Sequence, residues 1–173
     1  MVTDDRFEAA WSGYGSSVLR YCVYSTGTRE AGEDVAAETF ARFLAKGAAV
    51  PAERTEAWLL TVARNLCASH HRSAFRALRL IGRIVDSPRS EPGSAWRDGP
   101  AWEAAQRLSE QQRLTVYLRV VEERPFAEVA ELTGKSEAAT KMTFYRAMER
   151  LRRDVCRERA GGDGSLVGGA EHV

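Results

Sequence analysis

Two stretches of this chain concentrate positive charge, and both could neutralise a phosphate backbone. Between Glu56 and Asp86 there is no acidic residue, yet Arg64, Arg72, Arg76, Arg79 and Arg83 lie there beside His70 and His71. From Thr140 to Arg159, Lys141, Arg146, Arg150, Arg152, Arg153, Arg157 and Arg159 outnumber Glu149, Asp154 and Glu158. The first 63 residues lean the other way, with nine acids against six bases. Phosphate contacts want cations clustered on one face, and their effect is local, so this placement outweighs the total charge of +1. One basic helix end would be explained by the helix dipole alone. Two separated ones, the second in a helix-turn-helix pattern, point toward DNA.

That pattern runs from Phe126 to Arg146. A short helix uses Val129 and Leu132 as its inner face, Gly134 makes the tight turn, and Ser136 caps a longer helix. The second helix of such a motif presents its N-terminal polar residues to base edges in the major groove. Here those residues are Ser136, Glu137, Thr140, Lys141, Thr143 and Arg146, with Arg150 on the phosphate side.

No catalytic constellation competes. His70 and His71 are adjacent, so they diverge by about 100° on a helix and cannot both face one metal. The third histidine, His172, lies near the C-terminus, and Cys22, Cys67 and Cys156 are too far apart for a zinc or disulfide framework. No catalytic residue, metal site or cofactor is expected. The chain has 173 residues, 44% hydrophobic and 28% charged, enough for one ordinary domain or two small ones. No stretch approaches the roughly 20 apolar residues that span a bilayer. The acidic Asp4–Asp5 opening is unlike a secretory signal, so a reducing cytoplasm is the expected setting, with no membrane insertion.

The elements that must carry these residues read as helices. Phe7, Trp11, Tyr14, Val18 and Cys22 share one helical face until Gly27. A second helix runs from about Glu30 to Lys46 on Val35, Phe40, Phe43 and Leu44, before Gly47 and Pro51 stop it. A third starts near Thr55 and turns Trp58, Leu59, Val62 and Leu66 inward, leaving Thr61, Arg64, Asn65, His71 and Arg72 on its other side. Pro88, Pro92, Gly93, Gly99 and Pro100 mark a linker. Ser109 to Gln112 is a capping box that opens the second half. The expected fold is all-α: two small helical domains, 1–83 and 101–159, held apart by a flexible linker over 84–100. A disordered Gly-rich tail over 160–173 follows, and the C-terminal domain contains the helix-turn-helix.

Leu108-Ser-Glu-Gln-Gln-Arg-Leu through Met148-Glu-Arg-Leu-Arg resembles the fourth-region domain of extracytoplasmic-function sigma factors. Glu33-Asp-Val-Ala-Ala-Glu-Thr-Phe40 and Ala57-Trp-Leu-Leu-Thr-Val-Ala-Arg-Asn-Leu66 resemble the second-region domain of the same family, in the same order. The resemblance implies a protein that binds core RNA polymerase and directs it to promoters. It implies polymerase binding by Asp34, Glu38, Thr39 and Phe40. It places Thr61, Arg64, Asn65, His71, Arg72 and Arg76 at the minus-ten element, where opened single-stranded DNA is held. The C-terminal helix would read the minus-thirty-five duplex, and an anti-sigma factor would be a further partner. The alternatives are a helix-turn-helix regulator, or a sigma-like adaptor that does not initiate transcription.

Two departures stand out. Family members often carry an Asp-His-Leu-Arg-Arg-like run where this chain has Ser69-His-His-Arg-Ser73. Their recognition helices often read Val-Lys-Ser-Arg-Leu-His-Arg-Ala-Arg, whereas Thr140-Lys-Met-Thr-Phe-Tyr-Arg-Ala-Met148 lacks two of those bases. Altered promoter preference or weaker minus-thirty-five binding is the expected consequence.

Overall fold

Apolar residues at helical spacing, interrupted by glycines that can turn the chain, build this molecule. Its structure, a computed structural model, describes the backbone of residues 1–81 and 100–162 and the side chains of residues 1–73 and 101–157. Among the described residues every regular element is helical. An N-terminal unit holds α1 (Asp4–Thr26), α2 (Arg29–Lys46) and α3 (Thr55–Ile81). A C-terminal unit holds α4 (Pro100–Gln106), α5 (Glu110–Val116), α6 (Phe126–Thr133) and α7 (Glu137–Gly162). The expected linker and tail fall largely outside the described residues. At their described edges the chain is helical, with α4 opening at Pro100 and α7 reaching Gly162.

Local chemistry sets the boundaries. Gly27 takes φ 85° and closes α1, its N–H donating to the Val23 carbonyl, and Thr28 then caps α2 by accepting from the Ala31 N–H. The Ser109 hydroxyl accepts from the Gln112 N–H at 3.3 Å while the Gln112 carboxamide accepts from the Ser109 N–H at 3.2 Å, completing the capping box. Gly134 stands at φ 66° between α6 and α7. Past Val116, α5 widens into a π-type turn over Tyr117–Val121, and Glu123 follows at φ 54°. This widened end aims Glu122 and Arg124 at the N-terminal unit.

The two units are not held apart, as the linker suggests, but share a core. Val18, Tyr21, Cys22, Phe43, Leu59, Leu60, Ala63 and Cys67 are fully buried, and Leu114, Tyr117, Leu118, Val129 and Leu132 belong to the same cluster. Tyr117 packs its ring 5.4 Å from Tyr21 and 5.3 Å from Tyr24, while Trp102 of α4 meets Tyr24 at 5.6 Å. A smaller core of Leu108, Val116 and Ala147, with Phe144 and Leu151 against it, belongs to the C-terminal unit alone. The reason lies in α3. Its apolar residues occupy more than one stripe, so one side packs on α1 and α2 while another receives α5 and α6. The fully buried line is therefore Leu59, Leu60, Ala63 and Cys67, and Trp58, Val62 and Leu66 are only half-buried. Trp11, expected inside, is 53% exposed, although its ring lies 4.8 Å from that of Phe40.

Candidate nucleic-acid interface

An anion-binding face needs cations that reach solvent, and α3 offers a graded set. Asn65 and Arg72 are exposed, whereas Thr61, Arg64 and His71 are half-buried, the last two against the C-terminal unit. Arg64 donates to the Gln111 carboxamide at 2.5 Å and to the Asn65 side chain at 3.2 Å. Arg72 donates to Ser69 at 3.0 Å. The side chain of Arg76 lies outside those described. The backbone thus brings Arg64, Asn65, His71 and Arg72 onto one helix, and α5 covers part of that helix.

The contact between the units is polar as well as apolar. At its centre is Arg113 of α5, only 2% exposed. Its guanidinium donates to the carbonyls of Ala105 at 3.3 Å, Gln106 at 2.6 Å and Leu108 at 3.1 Å, holding the α4–α5 turn together. It also donates across the contact, to the Ser25 carbonyl at 3.2 Å and the Ser25 hydroxyl at 3.1 Å, and it pairs with Glu110 at 2.8 Å. Toward the periphery Arg20 pairs with Glu122 at 2.8 Å and Arg124 with Glu56 at 2.6 Å. A fully used guanidinium fork in a dry site is strongly directional.

His71 sits at the edge of this cluster. Its Nε2 lies 2.8 Å from Arg113 Nη1, 2.9 Å from the Ser25 carbonyl and 3.5 Å from Glu110. Burial pushes its pKa below the ordinary histidine value, and the Arg113 charge and His70 push the same way, against Glu110 and the Ser25 carbonyl. The folded state therefore favours neutral imidazole. Its contribution is complete above the unfolded histidine pKa of about 6.5 and is lost as pH falls through the lowered folded value. The urea midpoint is expected to fall between pH 7 and pH 5.5, and His71→Gln should flatten that decline. A midpoint that stays level in the parent chain would refute this.

On the C-terminal unit, α7 stands with its N-terminal half open. Ser136, Glu137, Lys141, Arg146 and Arg150 are exposed and Thr143 is half-buried. Thr140 is a correction to the expected reading face. It is fully buried and its hydroxyl donates to the Ser136 carbonyl at 3.0 Å, because its position falls on the stripe that packs inward with Ala147. Met142 and Tyr145, which polarity-based reasoning passes over, take the exposed arc at 54% and 62%.

The expected polymerase-binding set divides in the same way. Asp34 and Glu38 face solvent, Glu38 pairing with Arg42 at 2.8 Å. Thr39 and Phe40 are buried and take no part in the solvent-facing surface. The Thr39 hydroxyl donates to the Val35 carbonyl at 2.8 Å. Phe40 packs edge-on against Phe7 at 6.2 Å and Trp11 at 4.8 Å. The exposed aromatic that meets Phe40 is Trp11. Sequence reasoning also missed Arg113, Glu110, Glu122 and Arg124, whose partners lie in the other unit. The signal within reach was Arg113 itself, a charge directly before the apolar run of α5.

No helix among the described residues is long and apolar enough to cross a membrane. No group of three or more His, Cys, Asp or Glu side chains among them could hold a metal ion.

Residues 11–77 match the family model described as Sigma-70 region 2, and residues 100–151 match that described as Sigma-70, region 4, so together they take in more than half of the chain. Over 158 residues the chain is 34% identical to "ECF RNA polymerase sigma factor BldN" of Streptomyces coelicolor, a match covering 86% of this chain and 60% of that relative. Its fold is similar to a chain in the co-crystal structure of the sigma factor RpoE with the anti-sigma factor NepR from Bartonella quintana. That match has a TM-score of 0.60 at 20% identity, over 85% of this chain and 94% of the other. A chain of the RsbN–BldN complex is 29% identical over 85% of this chain and 89% of its own length, with a TM-score of 0.31.

Proposed function

Since the chain belongs to the sigma-70 family, as a sigma factor of the extracytoplasmic-function type, we propose that it binds core RNA polymerase and directs promoter-specific transcription initiation. What supports this reading is the pairing, in one chain, of two differently built faces that carry exposed basic and polar residues. Arg64, Asn65 and Arg72 lie on α3, suited to the opened minus-ten strand, where bases are held in protein and cations follow the phosphates. The helix-turn-helix presents the exposed N-terminal half of α7, suited to the minus-thirty-five duplex. Asp34 and Glu38, exposed on α2, supply acidic groups for the polymerase.

In the arrangement described here the two faces are not both free. Arg64 is held by Gln111 and His71 by Arg113, so the C-terminal unit must lift from α3 before that helix takes single-stranded DNA. RpoE of Bartonella quintana has been crystallised with the anti-sigma factor NepR. A partner of that kind acting on this chain would hold the two units away from polymerase and promoter.

Run-off transcription with purified core polymerase tests the reading. Initiation from a defined promoter, dependent on this chain, is the expected result. Operator binding without core would make the chain a helix-turn-helix regulator. Core binding without initiation would make it an adaptor.

A further inference from the structure

We propose that α7 reads the minus-thirty-five element through thymine methyl groups, using an apolar strip of Ala138, Ala139, Met142 and Tyr145. The inference rests on the sigma reading above and names the DNA feature its region 4 recognises. A second helix in a helix-turn-helix meets base edges with its first turns, so the inventory of atoms those turns can offer decides what they read.

From Ser136 to Thr143 that inventory holds few hydrogen-bonding groups without a partner in the motif. The Ser136 hydroxyl accepts from the Ala139 N–H at 3.2 Å as the helix cap. The buried Thr140 hydroxyl donates to the Ser136 carbonyl, and the Thr143 hydroxyl donates to the Ala139 carbonyl at 2.8 Å. Glu137 and Lys141 satisfy each other at 2.6 Å, and Lys141 also lies 5.7 Å from the Phe126 ring centroid. Each polar side chain from Ser136 to Thr143 thus has a partner within the motif. The outward surface that remains is two exposed alanines, then Met142 and the ring of Tyr145, with the Tyr145 hydroxyl and Arg146 as its polar groups.

In the major groove an apolar side chain finds one matching base-edge group, the C5 methyl of thymine. The alanines let the helix approach closely, and the flexible, polarizable thioether of Met142 can fill the space between methyls. Tyr145 is ordered by ring contacts with Phe144 at 5.6 Å and Phe126 at 6.3 Å, so its ring is largely pre-positioned. Lys135, Lys141, Arg146 and Arg150 are exposed around the strip. That rim favours a polyanion over an apolar protein surface, and its cations set register on the phosphates while the strip carries sequence information.

The test uses holoenzyme reconstituted from the full chain and core polymerase. Its minus-thirty-five preference is selected from a randomised duplex library, and each selected thymine is then replaced by deoxyuridine. That change removes the methyl and leaves the pairing groups in place. Enrichment of thymine, with about fourfold weaker binding for each methyl removed, is expected. Met142→Ala and Tyr145→Ala should each abolish the response to deoxyuridine at one position, while Tyr145→Phe should keep it. Equal binding of deoxyuridine, when transversions at the same positions still weaken binding, would overturn the proposal and return specificity to Glu137 and Lys141. So would a selected element without thymine, or a methyl response unchanged in both alanine variants. Initiation by the same holoenzyme is measured first. Its failure would remove the sigma reading, and a methyl-insensitive but active holoenzyme would remove only this inference.

Discussion

Arg113→Ala is expected to cost about 3–5 kcal/mol of folding stability, the loss seen when one partner is taken from a buried ionic cluster. The side chain is only 2% exposed, and it serves three carbonyls of the α4–α5 turn, the carbonyl and hydroxyl oxygens of Ser25, and Glu110. Truncation would strand the Gln106 and Leu108 carbonyls and remove the charge paired with Glu110, since α4, α5 and α1 all close over the site, while the Ala105 carbonyl would keep the Leu108 N–H and the Ser25 carbonyl would keep His71 Nε2 at 2.9 Å. Lysine should recover little, because three donors on one nitrogen cannot reach acceptors on opposite sides of a planar group. Chemical denaturation of the full chain measures the loss. A loss below about 1 kcal/mol, typical of a surface arginine, would mean that the two units do not bury this guanidinium in solution.

Gly32→Ala should be the most damaging small-to-large change in the N-terminal unit, at about 2–3 kcal/mol. Residue 32 lies where α2 crosses α1. A Cβ there would stand 2.7 Å from both the Val23 Cα and N, and closer still to its side chain. A side-chain tip could rotate away, but backbone cannot, so the helices would have to separate. That separation would loosen the packing of α2 on α1 beneath Val35 and Phe40. Thermal denaturation checks the loss. Gly13→Ala is the control, because nothing lies within 4 Å of the position its Cβ would take, and alanine is the better helix former. Equal stability of the Gly32 variant and that control would show that α1 and α2 do not approach this closely.

What could be read in advance follows from the range of the interactions. Caps and turns act within four residues, so Gly27, Ser109, Gly134 and Ser136 announced the helix ends correctly. Helical periodicity acts within a few turns, so an all-helical chain with a helix-turn-helix was legible. The Phe126–Arg146 pattern and the Glu33–Phe40 and Ala57–Leu66 runs were specific enough to point to the family. Periodicity fails where a helix is contacted from several sides. On α3 it favoured Trp58, Val62 and Leu66, while the complete burial fell to Leu60, Ala63 and Cys67 as well as Leu59. Residue type fails in a related way. Thr140 and Thr39 are polar and were placed on reading and docking faces, yet each satisfies its hydroxyl on its own helix and is buried.

The sequence by itself therefore determined the helices, their order, the division of charge and the family, because these rest on local spacing and composition. Tertiary structure alone decided which members of each set reach solvent. It also decided that the two helical units share one core and that Arg113, Glu110, Ser25 and His71 meet. The physical reason is distance along the chain. Arg113 and Ser25 are separated by 88 residues, and no periodicity or cap extends that far. Burial of a charge is settled by what closes over it, and here that is the opposite unit.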